Sequence, residues 1–195
     1  MRSYVFGKNE KPVFALIKSC ISEDKTRPSL LYAYYDGTSL AATDGRRLVK
    51  VESKKLCESL GEEKGFFAIN GSVLIEGECD KNFPDINRVM PKAEGEKFSL
   101  PFVNFEKEIK AKNRDMVVYA ALCYYANLAL NPMLLENVGN ITWNNIYHCG
   151  DFKPIRLKGR CDAYDVTYLV MPYTGKRFQE KTLNLEKEDT INKTA

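Results

Sequence analysis

An α+β fold, with helices packed on antiparallel sheet in two abbreviated tandem domains, is what this sequence predicts, and three observations carry the prediction. Apolar residues recur at helical spacing in two places, Pro12 to Ser22 and residues 101–113, and strand-like segments follow each. Asp36-Gly37 and Asn70-Gly71 each stand between two such segments, where they favour the tight turns of hairpins. The first half closes on "NRVMPK" and the second on "YLVMPY", so the same order of helix, strands and Val-Met-Pro occurs twice. A duplicated unit accounts for that order.

In the first helix Val13, Ile17, Cys20 and Ile21 form the apolar side, and Pro12 suits the first turn. The opposite side is basic. Lys11, Lys18 and Lys25 are seven apart, a spacing that drifts only about 20° per step and predicts one stripe if the helix extends that far. Strands are predicted in "SLLYAYY" and "SLAATD", a short helix in "KKLCESLGEE", and strands again in "GFFAI" and "SVLIEGE". Pro91 to Gly95 interrupts this texture, which divides the chain into units of residues 1–92 and 93–174. In the second unit Phe102, Phe105 and Ile109 share one helical face, while Lys107, Lys110 and Arg114 share another, so the basic stripe recurs. Such a face is either plainly solvated or turned toward a polyanion. Strands are predicted in "MVVYAALCYY" and "LAL", followed by a short helix with Asn131 as cap, Pro132 in its first turn and Gly139 after its end. Strands in "ITWNNIYHC", "KPIRLKG" and "VTYLVMPY" complete the unit, and residues 175–195 read as a charged, flexible tail.

Composition excludes more than it identifies. With 44% apolar residues in 195 the chain can bury a core, and a net charge of +3 from 29 basic and 26 acidic residues gives no global field. Six scattered cysteines without a Cys-x-x-Cys pair, behind a polar N-terminus, predict free thiols and a cytoplasmic setting. No apolar run approaches the roughly 20 residues that cross a bilayer. His148 is the only histidine, with no nucleophile turn to serve, and beside Cys149 and Cys161 it makes a poor zinc pattern. No phosphate cradle or dinucleotide fingerprint occurs, and Asp44 and Asp85 sit in turns, where carboxylates satisfy backbone donors. The expectation is a protein without catalytic residues, metal or cofactor.

Three segments in order resemble the bacterial DNA polymerase III sliding-clamp (beta subunit) family. "LAATDGRRLVKVE" is similar to a middle-domain segment of that family, with Arg46 where histidine is usual. "FPDINRVMPK" resembles the stretch joining middle and last domains, with Ile86 where tyrosine is usual. "LNPMLLENV", "KPIRL" and "YLVMPY" resemble the last domain's helix and terminal strand. The family chain has three domains, so the resemblance implies a shortened relative without the first.

That resemblance implies a processivity factor that binds double-stranded DNA without reading sequence and tethers DNA polymerase or other clamp-binding proteins by short peptide motifs. The helix cations Lys11, Lys18, Lys25, Lys107, Lys110 and Arg114 would face phosphates across water. Family rings hold six domains, so two here imply a homotrimer, with a clamp loader as a further partner. The family's peptide groove maps onto Thr43, Gly45, Arg47, Leu48, Pro84, Arg88 and Val89 in the first half. Its second-half side maps onto Leu134, Phe152, Pro154, Leu169, Val170, Met171, Pro172 and Tyr173. Leu48, Val89, Val170 and Met171 would seat leucine or phenylalanine anchors, with Arg47 and Arg88 at the rim; the alternative for each apolar residue is plain interdomain core. In the tail, Gln179, Leu183 and Leu185 resemble such a peptide and imply self-occupancy of the groove. The competing function is an adaptor or decoy that keeps the groove and forms no ring.

Overall fold

Pro12 opens helix α1 (Lys11–Ser19), and Val13, Leu16, Ile17 and the following Cys20 are all fully buried, the i, i+3, i+4, i+7 stripe of a helix lying on a core. The helix stops where the Cys20 N–H donates to the Ile17 carbonyl, and the chain folds back as the Ser22 N–H donates to Leu30. Lys25 therefore sits in a turn beyond the helix, beside an Asp24 carboxylate that accepts from the Thr26 N–H and hydroxyl. The expected three-lysine stripe is thereby corrected to Lys11 and Lys18, both exposed.

The computed structural model describes residues 1–90, 96–98, 111–126, 128–148 and 153–173. Their strands are β1 (Ser3–Val5), β2 (Ala33–Tyr35), β3 (Ser39–Thr43), β4 (Arg47–Glu52), β5 (Gly65–Asn70), β6 (Val73–Gly77), β7 (Glu96–Phe98), β8 (Thr142–His148), β9 (Ile155–Cys161) and β10 (Tyr164–Val170). They form one antiparallel sheet in the order β1-β6-β5-β2-β3-β4-β10-β9-β8-β7. Both predicted hairpin turns are present, with Gly37 and Gly71 at φ of 97° and 60°. Helices α2 (Lys54–Leu60) and α3 (Ile86–Val89) follow β4 and β6. The α+β class is the observed one.

Two meanders, β2-β3-β4 and β8-β9-β10, meet through their last strands. The ladder runs from Arg47 opposite Val170 to Glu52 opposite Asp165. Register sets the two faces of the sheet across that junction. Ala42, Val49, Tyr168, Leu157 and Ile146 stand opposite one another on successive strands and join the buried core. Thr43, Leu48, Leu169, Arg156 and Tyr147 form the adjacent row, which the two-residue period of a strand sends to the other face. One cluster of buried side chains runs through both halves. Pro91 to Gly95, where the two units were expected to divide, lies outside the described residues, as do the Phe102, Phe105, Ile109 helix face and the tail.

The "MVVYAALCYY" segment is a correction: it belongs to helix α4 (Ala111–Ala126), not to a strand. A short apolar run has no periodicity that separates strand from buried helix. Here tertiary partners decide it. Val118 and Leu122, four apart, enter the core, and the Asp115 carboxylate accepts from the N–H groups of Asn137 (2.9 Å) and Gly139 (2.6 Å). The "LAL" segment, residues 128–130, forms no strand. Beyond it Asn131 caps a 3-10 turn (Pro132–Leu135) by accepting from the Met133 N–H, and a second turn (Val138–Asn140) follows. The left-handed residue is Asn137, at φ 66°, rather than Gly139. Gly139 instead lets this turn touch α4: a Cβ there would lie 2.5 Å from the Arg114 carbonyl carbon.

The sheet curls enough for β1, at one edge, to reach β10. The Tyr4 and Tyr164 hydroxyls are hydrogen-bonded, and Phe6 lies 6.2 Å from the Tyr164 ring. Beneath them Glu10, only 3% exposed, accepts from the Gly7 N–H (2.6 Å) and from Lys55. Burial works against charge on Glu10, but the Lys55 and Gly7 donors outweigh it and hold its carboxyl below the usual carboxylate range. The Arg2 guanidinium and N–H bring Glu76 down to about 2.

Two predictions follow from this packing. Gly139→Ala should cost about 1–3 kcal/mol, because the backbone of α4 occupies the required space; urea unfolding measures it. Glu10 and Glu76 titrate below their ordinary 4.5, so their stabilisation is complete above that pH and is lost as pH falls through each lowered value, which for Glu76 is about 2. Urea midpoints should drop across that window, and Glu76→Gln should flatten the drop.

Candidate functional site

The turn between β3 and β4, Thr43 to Arg47, is closed by its own side chains. Thr43 Oγ1 donates to the Arg47 carbonyl (2.7 Å) and accepts from the Gly45 N–H (3.1 Å). The Asp44 carboxylate accepts from the N–H groups of Arg46 (2.8 Å) and Arg47 (3.0 Å), and from Arg47 Nε (3.0 Å). Gly45, at φ 88°, supplies the conformation the turn requires. The turn also grips the second half. Arg47 Nη1 donates to the Met133 carbonyl (3.0 Å), and the Met171 N–H donates to the Arg46 carbonyl (3.0 Å).

A second wall comes from the segment before α3. Phe83 stacks on Tyr34 at 5.1 Å and 12°, with Phe66 against both rings. The Asp85 carboxylate then accepts from the Asn87 N–H (3.0 Å) and caps the short helix. These contacts hold Pro84, Ile86, Arg88 and Val89 along one rim.

Between the walls lies a cavity of about 840 Å³. The structure brings Thr43, Gly45, Arg47, Leu48, Pro84, Arg88 and Val89 to it from the first half, and Pro154, Leu169 and Met171 from the second. Val89 and Met171 are 51% and 40% exposed there, so both offer apolar surface to a visitor. Val170 is a correction. It follows Leu169 in a strand, so its side chain goes to the opposite face, where it is fully buried in the core. Leu134 is likewise core rather than lining, its carbonyl accepting from the buried Tyr168 hydroxyl. Pro172 is buried and Tyr173 exposed, and neither lines the cavity; the Tyr173 N–H donates to Ala129 (2.7 Å). Phe152 lies outside the described residues.

Several lining residues are not among those the sequence singles out for the groove: Arg27, Ser29, Leu30, Met90 and Lys153, with Arg46 and Ile86 noted only as departures from the family pattern. Arg46 and Met90 adjoin recognised motif positions and were within reach. Arg27 and Leu30 come from a loop that only the folded sheet brings to the cavity.

Of the proposed DNA-facing cations, Lys11 and Lys18 are exposed on α1 and Lys25 is exposed in its turn. Arg114, on α4, is half-buried rather than part of a solvent stripe, and Lys107 and Lys110 lie outside the described residues. His148 stands opposite Ile155, at the other end of β9 from Cys161. Burial pushes the Cys20 thiol up to about 12, so it stays protonated and inert. Among the described residues no group of three or more His, Cys, Asp or Glu side chains is arranged to hold a metal ion, and no helix is long and apolar enough to cross a membrane.

No family model matches the chain, and no curated protein matches it in sequence. Among solved structures, the beta sliding clamp of Caulobacter crescentus is 16% identical with a TM-score of 0.50, the match covering 89% of this chain and 66% of that one. The fold is that of a bacterial sliding clamp, shortened. The chain spans just under two thirds of that clamp's length. The DNA polymerase beta subunit of Streptococcus pyogenes is 12% identical over 90% of this chain and 66% of its own, with a TM-score of 0.48. Proliferating Cellular Nuclear Antigen from Entamoeba histolytica is 7% identical over 88% and 98%, with a TM-score of 0.41.

The Asp44–Arg47 pair, with side chains 19% and 11% exposed, is the keystone of this clamp-like junction. Asp44→Ala removes three acceptor contacts at once and should cost about 1–3 kcal/mol in urea unfolding. Asp44→Asn, which keeps one acceptor oxygen, should lose less.

Proposed function

We propose that this chain is a non-enzymatic, sliding-clamp-like tether: it holds replication or repair proteins by short peptide segments in the β4–β10 groove and associates with duplex DNA through exposed helix lysines. The observation that carries this reading is one cavity lined by Leu48, Leu169, Met171, Val89, Pro84 and Pro154, residues from four separated segments. An apolar cleft with a few fixed polar groups at its rim suits an extended peptide with leucine or phenylalanine anchors. The DNA part of the proposal rests on Lys11 and Lys18, with Lys25, Lys107, Lys110 and Arg114 as the remaining candidates. Charge on a helix face attracts phosphates without reading bases, as sliding requires. A homotrimeric ring, opened by a loader, would be the encircling form.

A second reading is an adaptor that binds the same peptides and encircles nothing. It is favoured by the short α1 stripe and by the half-buried Arg114, which leave a modest cationic face among the described residues.

Fluorescence anisotropy with a labelled leucine- and phenylalanine-anchored peptide tests the groove. Val89→Asp and Met171→Asp, both at exposed positions, should each weaken binding by about tenfold or more, the loss expected when an anchor contact is removed. Unchanged affinity would refute the site. Retention on circular against linear DNA at raised salt separates the two readings, since only a closed ring survives on a circle. Lys11→Glu with Lys18→Glu should weaken low-salt DNA binding and shallow its salt dependence. A monomer in light scattering, with equal loss from both DNA forms, would leave the adaptor.

A further inference from the structure

The cavity rim carries Arg27, Arg46, Arg47, Arg88 and Lys153, and among the described residues no aspartate or glutamate lines it. Arg47 is committed to Asp44 and the Met133 carbonyl. Arg27 has only a loose contact with Asp24, at 3.8 Å between half-exposed side chains. Arg46, Arg88 and Lys153 are exposed, and among the described residues none of the three forms an ion pair. The whole chain is only +3, so this is local charge concentrated around an apolar floor, not a reflection of composition.

From this arrangement we infer that the groove selects acidic peptides: segments whose leucine or phenylalanine anchors are flanked by aspartate or glutamate. The inference rests on the peptide-groove reading and deepens it by naming the occupant's charge. An anchor seated over Leu48 and Leu169 displaces water from the rim, so a neighbouring carboxylate meets Arg46, Arg88 or Lys153 in a less screened setting than open surface. The same field speeds encounter with acidic segments and disfavours basic ones, a discrimination that apolar anchors alone do not supply. Phosphates of a nucleic acid would also be drawn to these cations. The apolar floor favours a peptide, because Leu48, Leu169, Met171 and Val89 offer a sugar-phosphate chain nothing to bind.

The test uses the full chain and three labelled synthetic peptides with identical leucine and phenylalanine anchors, flanked by aspartates, glutamines or lysines. The aspartate peptide should bind about tenfold more tightly than the glutamine peptide, with the lysine peptide weakest, and the gap should narrow as salt shortens the screening length. Arg46→Glu with Arg88→Glu should shrink or invert that order; circular dichroism checks that the variant remains folded. Equal affinity for all three peptides overturns the charge inference and leaves the groove reading standing. Failure of all three to bind overturns both. Persistence of the order in the charge-reversed variant places the selective charges elsewhere, and full displacement of the aspartate peptide by a short oligothymidylate assigns the rim to phosphates. Either result overturns the inference.

Discussion

The pairing of β4 with β10 is the constraint on which everything else depends. Each strand is the last of its own meander, and each would otherwise present an open row of N–H and C=O groups. Joined from Arg47 to Glu52, they turn two short sheets into one and let a single core run beneath both. A half of this size standing alone would bury a smaller fraction of its surface.

The same pairing creates the site. Because the ladder sets Leu48 opposite Leu169, one residue from each half meets at the cavity floor, while their neighbours Val49 and Tyr168 meet in the core. A slip of one residue would exchange the two sets, and the groove would fill with core residues. Register is guarded just beyond the last ladder pair, where the Met171 N–H bonds Arg46 and the Arg47 guanidinium bonds Met133. The turn that performs this guarding is also a wall of the groove, so stability and site geometry rest on the same few atoms. Charge adds a second layer: the arginine that holds the junction together is neutralised, and the cations left over stand at the rim.

Local chemistry made much of this legible. Pro12 and the apolar spacing that follows it place α1, the Asp-Gly and Asn-Gly pairs place two hairpins, and Asp44 and Asp85 stand among turn residues whose backbone donors they accept from. The errors lie where a segment's state is set by distant partners. Residues 116–125 carry Val, Tyr and Cys in a run that suits a strand, yet they form α4 because the core takes Val118 and Leu122 and the Asn137–Gly139 turn bonds Asp115. Lys25 was expected on a helix whose end is decided by a loop returning to Leu30.

By itself the sequence determined the class of fold and the chemistry of the turns, since these depend on neighbours a few positions apart, and its motifs named ten of the residues that line the cavity. Only the tertiary structure decided that Val170 belongs to the core and Leu169 to the groove, that Arg27 and Lys153 join the rim, and that Arg47 is spent on the junction. Those outcomes turn on which strand lies beside which and in what register, and on which carboxylate a guanidinium reaches first. Contacts between residues more than a hundred positions apart, such as Leu48 with Leu169, leave no trace in either residue's local surroundings.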